Sequence, residues 1–270
     1  MAEEIGTPTV TTLTEEEIAI LVSLDPEFWG THFACYKGMD GQIRRGFSAE
    51  LGNDPLNILQ KRVIEHYRKC QALGKPCLIM ILKPRQRGAS TIAEMVCYHH
   101  MRKHKNLNGS LMGDIAATSD KVFEMFRRYA EGDEYPWEDG LGSLKPKDEE
   151  NNQADSITLP NGSKWWKETA GSKNAGRGGT LQVYHGDEVA YFTMDTGKDP
   201  LNAVLNSFNM DLPVALGFLT STANGMSGDF YTMWMDDTND WCKIFAAWFE
   251  FPECSKEFDN ETERQRFIRT

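Results

Sequence analysis

No stretch of about eighteen consecutive apolar residues occurs in this 270-residue chain, so no segment is suited to span a membrane as a helix. The first residues, with Glu3 and Glu4, lack the basic-then-apolar layout of a secretory leader. The six cysteines (Cys35, Cys70, Cys77, Cys97, Cys242, Cys254) show no C-x-x-C spacing, and three lie in apolar stretches. That distribution suits a reducing compartment and small buried hydrophobes. There is no excess of positive charge either. The net charge is −11, which argues against a simple nucleic-acid coat. Internal repeats and low-complexity tracts are also missing. What remains, with 40% hydrophobic and 26% charged residues, is an ordinary globular composition long enough for one large α/β domain.

Element signals are clearest in the first half. Thr14–Glu17 reads as a capping box with Leu13 and Ile18 as a staple, which predicts a helix to about Ser23. Asp54 and Pro55 start a second helix that Gly74 and Pro76 stop, with Leu56, Leu59, Val63, Cys70 and Leu73 as its buried stripe. Cys77–Leu82 is a continuous apolar run, read as a buried strand, and Ser90–Lys103 is helical in pattern. Further strands are expected at Ser110–Gly113, Thr180–Tyr184 and Val214–Thr220, a helix at Ser119–Tyr129, and a short helix from Asp199–Pro200. Asn161–Gly162 between Ile157–Leu159 and Lys164–Lys167 signals a hairpin, and Glu131–Asn152 reads as an exposed insertion. The helix–strand–loop–helix order points to a parallel-sheet nucleotide fold.

The chemistry begins where the apolar run breaks, at Lys83–Pro84–Arg85–Gln86–Arg87–Gly88–Ala89–Ser90–Thr91. The layout is that of a phosphate-cradling loop, but the lysine of G-x-x-x-x-G-K-[ST] is missing: Ala89 holds its place, and Lys83 stands where the first glycine belongs. Gly88 permits close backbone approach, and N–H groups at the helix start favour an anion. Ser90 occupies the position of a Mg²⁺-binding hydroxyl, with Thr91 beside it. Lys83 has the reach to bring an ammonium to the β/γ-phosphates from the strand side. The plainer reading is an exposed basic turn.

Downstream, Asp187 and Glu188 end a strand as adjacent acids, suited to holding a metal and orienting water, although Gln182 and His185 interrupt that strand's apolar run. Thr220–Ser221–Thr222 are small hydroxyl side chains at another strand end, placed to sense a γ-phosphate. Ala170–Gly179 holds four glycines and Arg177, free to reach across an interface. All should converge at the carboxyl edge of one sheet.

KPRQRGAST, then AGRGGT, HGDE and TSTANG, resemble the ATPase domain of the large terminase subunit of tailed bacteriophages, from about Pro55 to Phe251. The resemblance implies an α/β, RecA-like (ASCE) P-loop ATPase: a mainly parallel sheet flanked by helices, with an antiparallel hairpin and a small lid. It divides the chain into an N-terminal helical segment (1–54), an ATPase core (55–225) and a lid or linker (226–270). It implies a deviant Walker A at Lys83–Thr91, Walker B acids at Asp187 and Glu188, and a coupling motif at Thr220–Thr222. By the same resemblance Arg177 acts in trans, Gln60 reads adenine, and Trp241–Phe251 is the lid region. The implied function is Mg²⁺-dependent ATP hydrolysis that packages double-stranded DNA, in a ring of copies (a pentamer) docked on a portal protein. A small terminase subunit is a further partner, and the setting is the host cytoplasm, with no membrane involved. The family continues into an RNase-H-like nuclease, and this chain stops before one would fit. Asp211, Asp229, Asp236 and Asp237 are therefore not nuclease ligands. Two alternatives stand beside this: a nucleotide-binding docking subunit without turnover, and another RecA-like motor such as a helicase. Arg44–Arg45, Lys103–Lys105 and Arg127–Arg128 are the basic clusters available to DNA.

Overall fold

The computed structural model describes residues 13–38, 40–47, 55–133, 152–172, 179–192, 199–254, 260–262 and 265. Thr14 and Glu17 form the expected capping box on α1 (Glu15–Leu24). A second helix, α2 (Pro26–His32), follows at once from the Asp25 cap and Pro26, and a short hairpin, β1 (Cys35–Lys37) and β2 (Ile43–Arg45), comes next. Neither was signalled strongly in the sequence. α3 (Ile58–Leu73) starts later than expected: Asn57, not Asp54, is its cap, in a capping box with Gln60. Its buried stripe runs through Leu59, Val63, Ile64, Tyr67 and Cys70. Leu73 is 58% exposed and lies outside that stripe. Gly74 ends the helix at φ 60, the left-handed conformation that favours glycine.

β3 (Cys77–Leu82) then enters the sheet, α4 (Ala89–Lys103) leaves the loop, and β4 (Asn108–Gly113), α5 (Ala116–Gly132), β5 (Asn152–Gln153), β6 (Ser156–Thr158) and β7 (Lys164–Thr169) follow. β8 (Val183–Asp187), α6 (Pro200–Leu205), β9 (Leu216–Ser221), α7 (Asp229–Met235) and β10 (Cys242–Phe245) complete the described elements. The eight-stranded sheet has the order β10-β3-β9-β8-β4-β7-β6-β5. The six strands from β10 to β7 are parallel, while β6 and β5 add antiparallel at one edge. The mostly parallel α/β sheet and its hairpin addition are thus as expected.

Period-two alternation sorts β3 between two layers. Cys77, Ile79 and Ile81 join the larger core with α1 to α5, and Leu78 and Met80 join a second core with α6 and α7. Three details go beyond the sequence reading: a strand start, a buried turn side chain and the pairing of one strand. β8 begins at Val183 rather than Thr180, because Leu181 makes only an isolated bridge to Phe208. Asn161, read as a turn residue, is buried and donates to the carbonyls of Met101 and Arg102 at the end of α4, satisfying helix-terminal acceptors. Within the segment expected as a lid, β10 lies in the main sheet beside β3, and Arg62 of α3 holds it through the Phe245 carbonyl. Most of the expected insertion, 134–151, lies outside the described residues.

Candidate nucleotide site

The strand order decides the site. β9 sits between β3 and β8, so the ends of the loop strand and the acid strand flank the hydroxyl-bearing strand. Thr220 pairs in register with Ile81 on one side and Asp187 on the other. Parallel neighbours deliver all three carboxyl ends to one edge, where α/β folds place ligands.

Around that edge the loop and the acids touch directly. Lys83 is 9% exposed and its Nζ donates to Glu188 Oε1 at 3.0 Å. Thr222 holds the other oxygen of Glu188, donating from its backbone N at 3.1 Å and its Oγ1 at 3.2 Å. Ser90 Oγ donates to Asp187 Oδ1 at 3.0 Å. Thr91 is set apart from the acids, its Oγ1 facing Met125 Sδ of α5 at 3.9 Å. Ser221 Oγ accepts from Ala190 N at 3.1 Å and so fixes the turn after the acids. Of the remaining loop residues, Gln86 is exposed while Pro84 and Arg87 are partly buried. Arg85 is exposed, and the guanidinium of Arg87 stands 5.5 Å from the centre of the Phe251 ring.

Backbone strain concentrates in the same place. Gln86 and Glu188 have φ 59 and 57, left-handed values that cost a non-glycine residue about 1–2 kcal/mol. Glu188 is also the residue whose carboxylate meets Lys83. Gly88 has φ 71, and a Cβ there would approach Gln60 Nε2 to 2.6 Å. Gln60 itself donates to the Gly88 carbonyl at 3.4 Å, and Asn57 donates to the Arg87 carbonyl at 3.1 Å. Gln60 therefore faces the loop backbone, and its amide oxygen is engaged in the α3 capping box.

Behind the acids lies a polar chain that sequence reasoning missed. His185, which had looked like a flaw in a strand, is fully buried; its Nδ1 meets Glu94 Oε1 at 2.5 Å and its Nε2 meets Thr220 Oγ1 at 3.2 Å. Thr220 Oγ1 in turn donates to Asp187 Oδ1. Burial pushes the Glu94 carboxyl up, opposed by its hydrogen bond to His185. A protonated Glu94 donating to His185, then His185 to Thr220 and Thr220 to Asp187, satisfies every contact in one direction. The available signal was Glu94 itself, a carboxylate on the apolar face of α4.

Arg177 lies outside the described residues. Of the basic clusters, Arg44 is paired with Asp40, Arg45 donates to the Gly132 carbonyl, and Arg127 is paired with Glu124. Among the described residues no helix is long and apolar enough to cross a membrane.

No protein-family model matches the sequence, and no curated protein matches it. Solved structures do. The large terminase of a thermophilic bacteriophage superposes with a TM-score of 0.56 at 14% identity, covering 80% of this chain and 50% of that one. The same protein in complex with ATP-γ-S gives 0.53 at 14% identity, covering 80% and 49%. Its complex with ADP gives 0.51 at 15% identity, covering 79% and 50%. The chain thus spans about half the length of these three terminase structures. At such identities the likeness carries the architecture: this chain has the α/β, RecA-like fold of bacteriophage large terminases.

Proposed function

We propose that the chain hydrolyses ATP and that hydrolysis drives double-stranded viral DNA into a procapsid. In this reading it works in the host cytoplasm in a ring of copies, a pentamer, on a portal protein, with a small terminase subunit as partner. The observation that carries the reading is the convergence of loop and acid side chains at one sheet edge: Lys83 on Glu188, and Ser90 on Asp187. The related fold has been captured with ATP-γ-S and with ADP in the thermophilic bacteriophage's terminase, which supports a nucleotide as ligand here.

Ser90 and Asp187 offer a hydroxyl and a carboxylate, hard oxygen donors of the kind Mg²⁺ takes alongside phosphate oxygens. When bound there, the ion would supply neutralisation of phosphate charge. The backbone N–H groups at the start of α4 cradle phosphate. Lys83, on its flexible stem, turns from Glu188 to the β/γ-phosphates and leaves that carboxylate free to orient and deprotonate the attacking water. Thr222, bonded to Glu188, links the acid's position to strand β9, a route by which phosphate loss reaches the rest of the molecule. Arg177 completes a neighbour's site. The division into N-terminal segment (1–54), core (55–225) and lid (226–270) belongs to the same reading.

Phosphate release measured across a protein concentration series, with and without duplex DNA, tests it. Release that climbs faster than linearly with protein, and that duplex stimulates, is expected. No release at any concentration overturns the enzyme reading in favour of a docking module, and separation of annealed strands would mark a helicase instead.

A further inference from the structure

On the flank of the sheet remote from the acids, α3 and β3 bring together three side chains with donors for a soft cation. A ring nitrogen of His66 and the sulfurs of Cys70 and Cys77 all lie within 4.8 Å of one another. His66 and Cys70 are four positions apart, hence on one face of α3, and His66 Nε2 stands 3.4 Å from Cys70 Sγ. The left-handed Gly74 returns the chain so that Cys77, the first residue of β3, faces that helix.

The spacing is informative. Tetrahedral zinc, with Zn–N and Zn–S bonds of about 2.0 and 2.3 Å, holds its ligand atoms about 3.5–3.8 Å apart. The His66–Cys70 separation of 3.4 Å lies within about 0.1 Å of the nitrogen–sulfur spacing, and the third donor, within 4.8 Å of both, is at most about 1 Å beyond the sulfur–sulfur spacing. Cys77 is fully buried and Cys70 nearly so, while His66 is half-buried. Cys242 lies outside that group of three but on the adjoining strand. It pairs in register with Ile79, so its side chain shares the Cys77 face of the sheet, and with His66 it lines an open groove that provides an entry path. Lys69 lines the same groove and offsets thiolate charge.

Buried cysteines are often no more than small hydrophobes, but that role does not require a histidine beside them. The donor set also differs in kind from the oxygens of Ser90 and Asp187: sulfur and imidazole select zinc over magnesium. We propose that His66, Cys70 and Cys77 form a structural zinc site, with Cys242 closing the fourth position from the edge strand. Such a site clamps α3, whose first residues grip the phosphate loop, to β3, which leads into that loop, and to β10. The proposal is independent of whether the chain hydrolyses ATP.

Cobalt alone, titrated into the reduced and chelator-stripped full chain, is the probe. One equivalent is expected to produce thiolate-to-cobalt charge-transfer absorption and the visible bands of a tetrahedral site, and one equivalent of zinc should bleach both. Cys70→Ser should lower the charge-transfer intensity by at least one thiolate's share, His66→Ala should weaken binding by roughly tenfold or more, and Cys242→Ser should lower the intensity by about one thiolate's share. Cys35→Ser serves as the control that changes nothing. Circular dichroism on each variant separates lost ligation from lost folding, and the partly exposed His66 is the safer substitution if Cys77→Ser does not fold. Folded, reduced protein without tetrahedral bands overturns the proposal. So do bands that persist unchanged in both His66→Ala and Cys70→Ser.

Discussion

Replacing Glu188 by glutamine removes one charge from the centre of the site while keeping its shape. Three donors converge on this carboxylate: Lys83 Nζ, Thr222 N and Thr222 Oγ1. A carboxamide has only one accepting oxygen, so the amide NH₂ must face either the ammonium or the Thr222 donors. One charge-assisted hydrogen bond and part of an ion pair are lost. Because Glu188 is 25% exposed, solvent screens that pair, and the folding cost is about 1–2 kcal/mol. The chemical cost is larger. Removing a positioned base costs about 10²–10⁴ in rate, roughly 3–5.5 kcal/mol on the barrier. Binding should move the other way: Lys83 is released and one negative charge beside the phosphates is gone, so ATP affinity should stay level or rise by up to about tenfold (~1.4 kcal/mol). Denaturant melts, a fluorescent-nucleotide titration and phosphate release read the three quantities separately. Turnover within about twofold of wild type, in a variant that binds and folds normally, would refute the role given to Glu188.

Three further expectations follow from the same geometry. Lys83→Ala should weaken ATP binding and hydrolysis each by about tenfold or more, since a charge-assisted contact is worth about 1.5–3 kcal/mol, whereas the exposed Arg85→Ala should change both little; nucleotide titration of the two variants, with the effects reversed, would move the phosphate-binding role to Arg85. Gln60→Ala removes the reciprocal bond of the α3 capping box and the contact to the Gly88 carbonyl, so denaturation should reveal a loss of about 1 kcal/mol and steady-state kinetics a raised KM for ATP; an unchanged KM would mean the loop holds its shape without it. Burial pushes His99 and His100 down to about 3, and both rings bond carbonyls in neutral form, Val22 and Val214 respectively. Their folded values lie below the unfolded one, so the stability they contribute is full above about pH 6.5 and declines as pH falls toward 3. At pH 5 each costs about 2 kcal/mol, with the raised Glu94 acting in the opposite sense, so these three groups together lose about 2–4 kcal/mol from pH 7 to 5, and the lowered His32, His66 and His104 add in the same direction; equal urea midpoints at the two pH values would contradict it.

What the sequence by itself determined were the features written in local pattern. The Thr14–Glu17 capping box, the apolar run Cys77–Leu82 and the Asn161–Gly162 turn each fix a backbone conformation through neighbouring residues. The loop and acid residues were visible as motifs for the same reason. Pairing across the sheet was not local. That β9 lies between β3 and β8, that Lys83 rests on Glu188, and that Ser90 rather than Thr91 reaches Asp187 depend on strand order and helix rotation, which no short window of sequence encodes. His185 makes the point most sharply: as one residue in a strand it read as a defect, and only Glu94, 91 positions away, makes its burial chemically sensible. Local propensity chose the elements, and long-range packing and hydrogen-bond satisfaction decided which side chains meet.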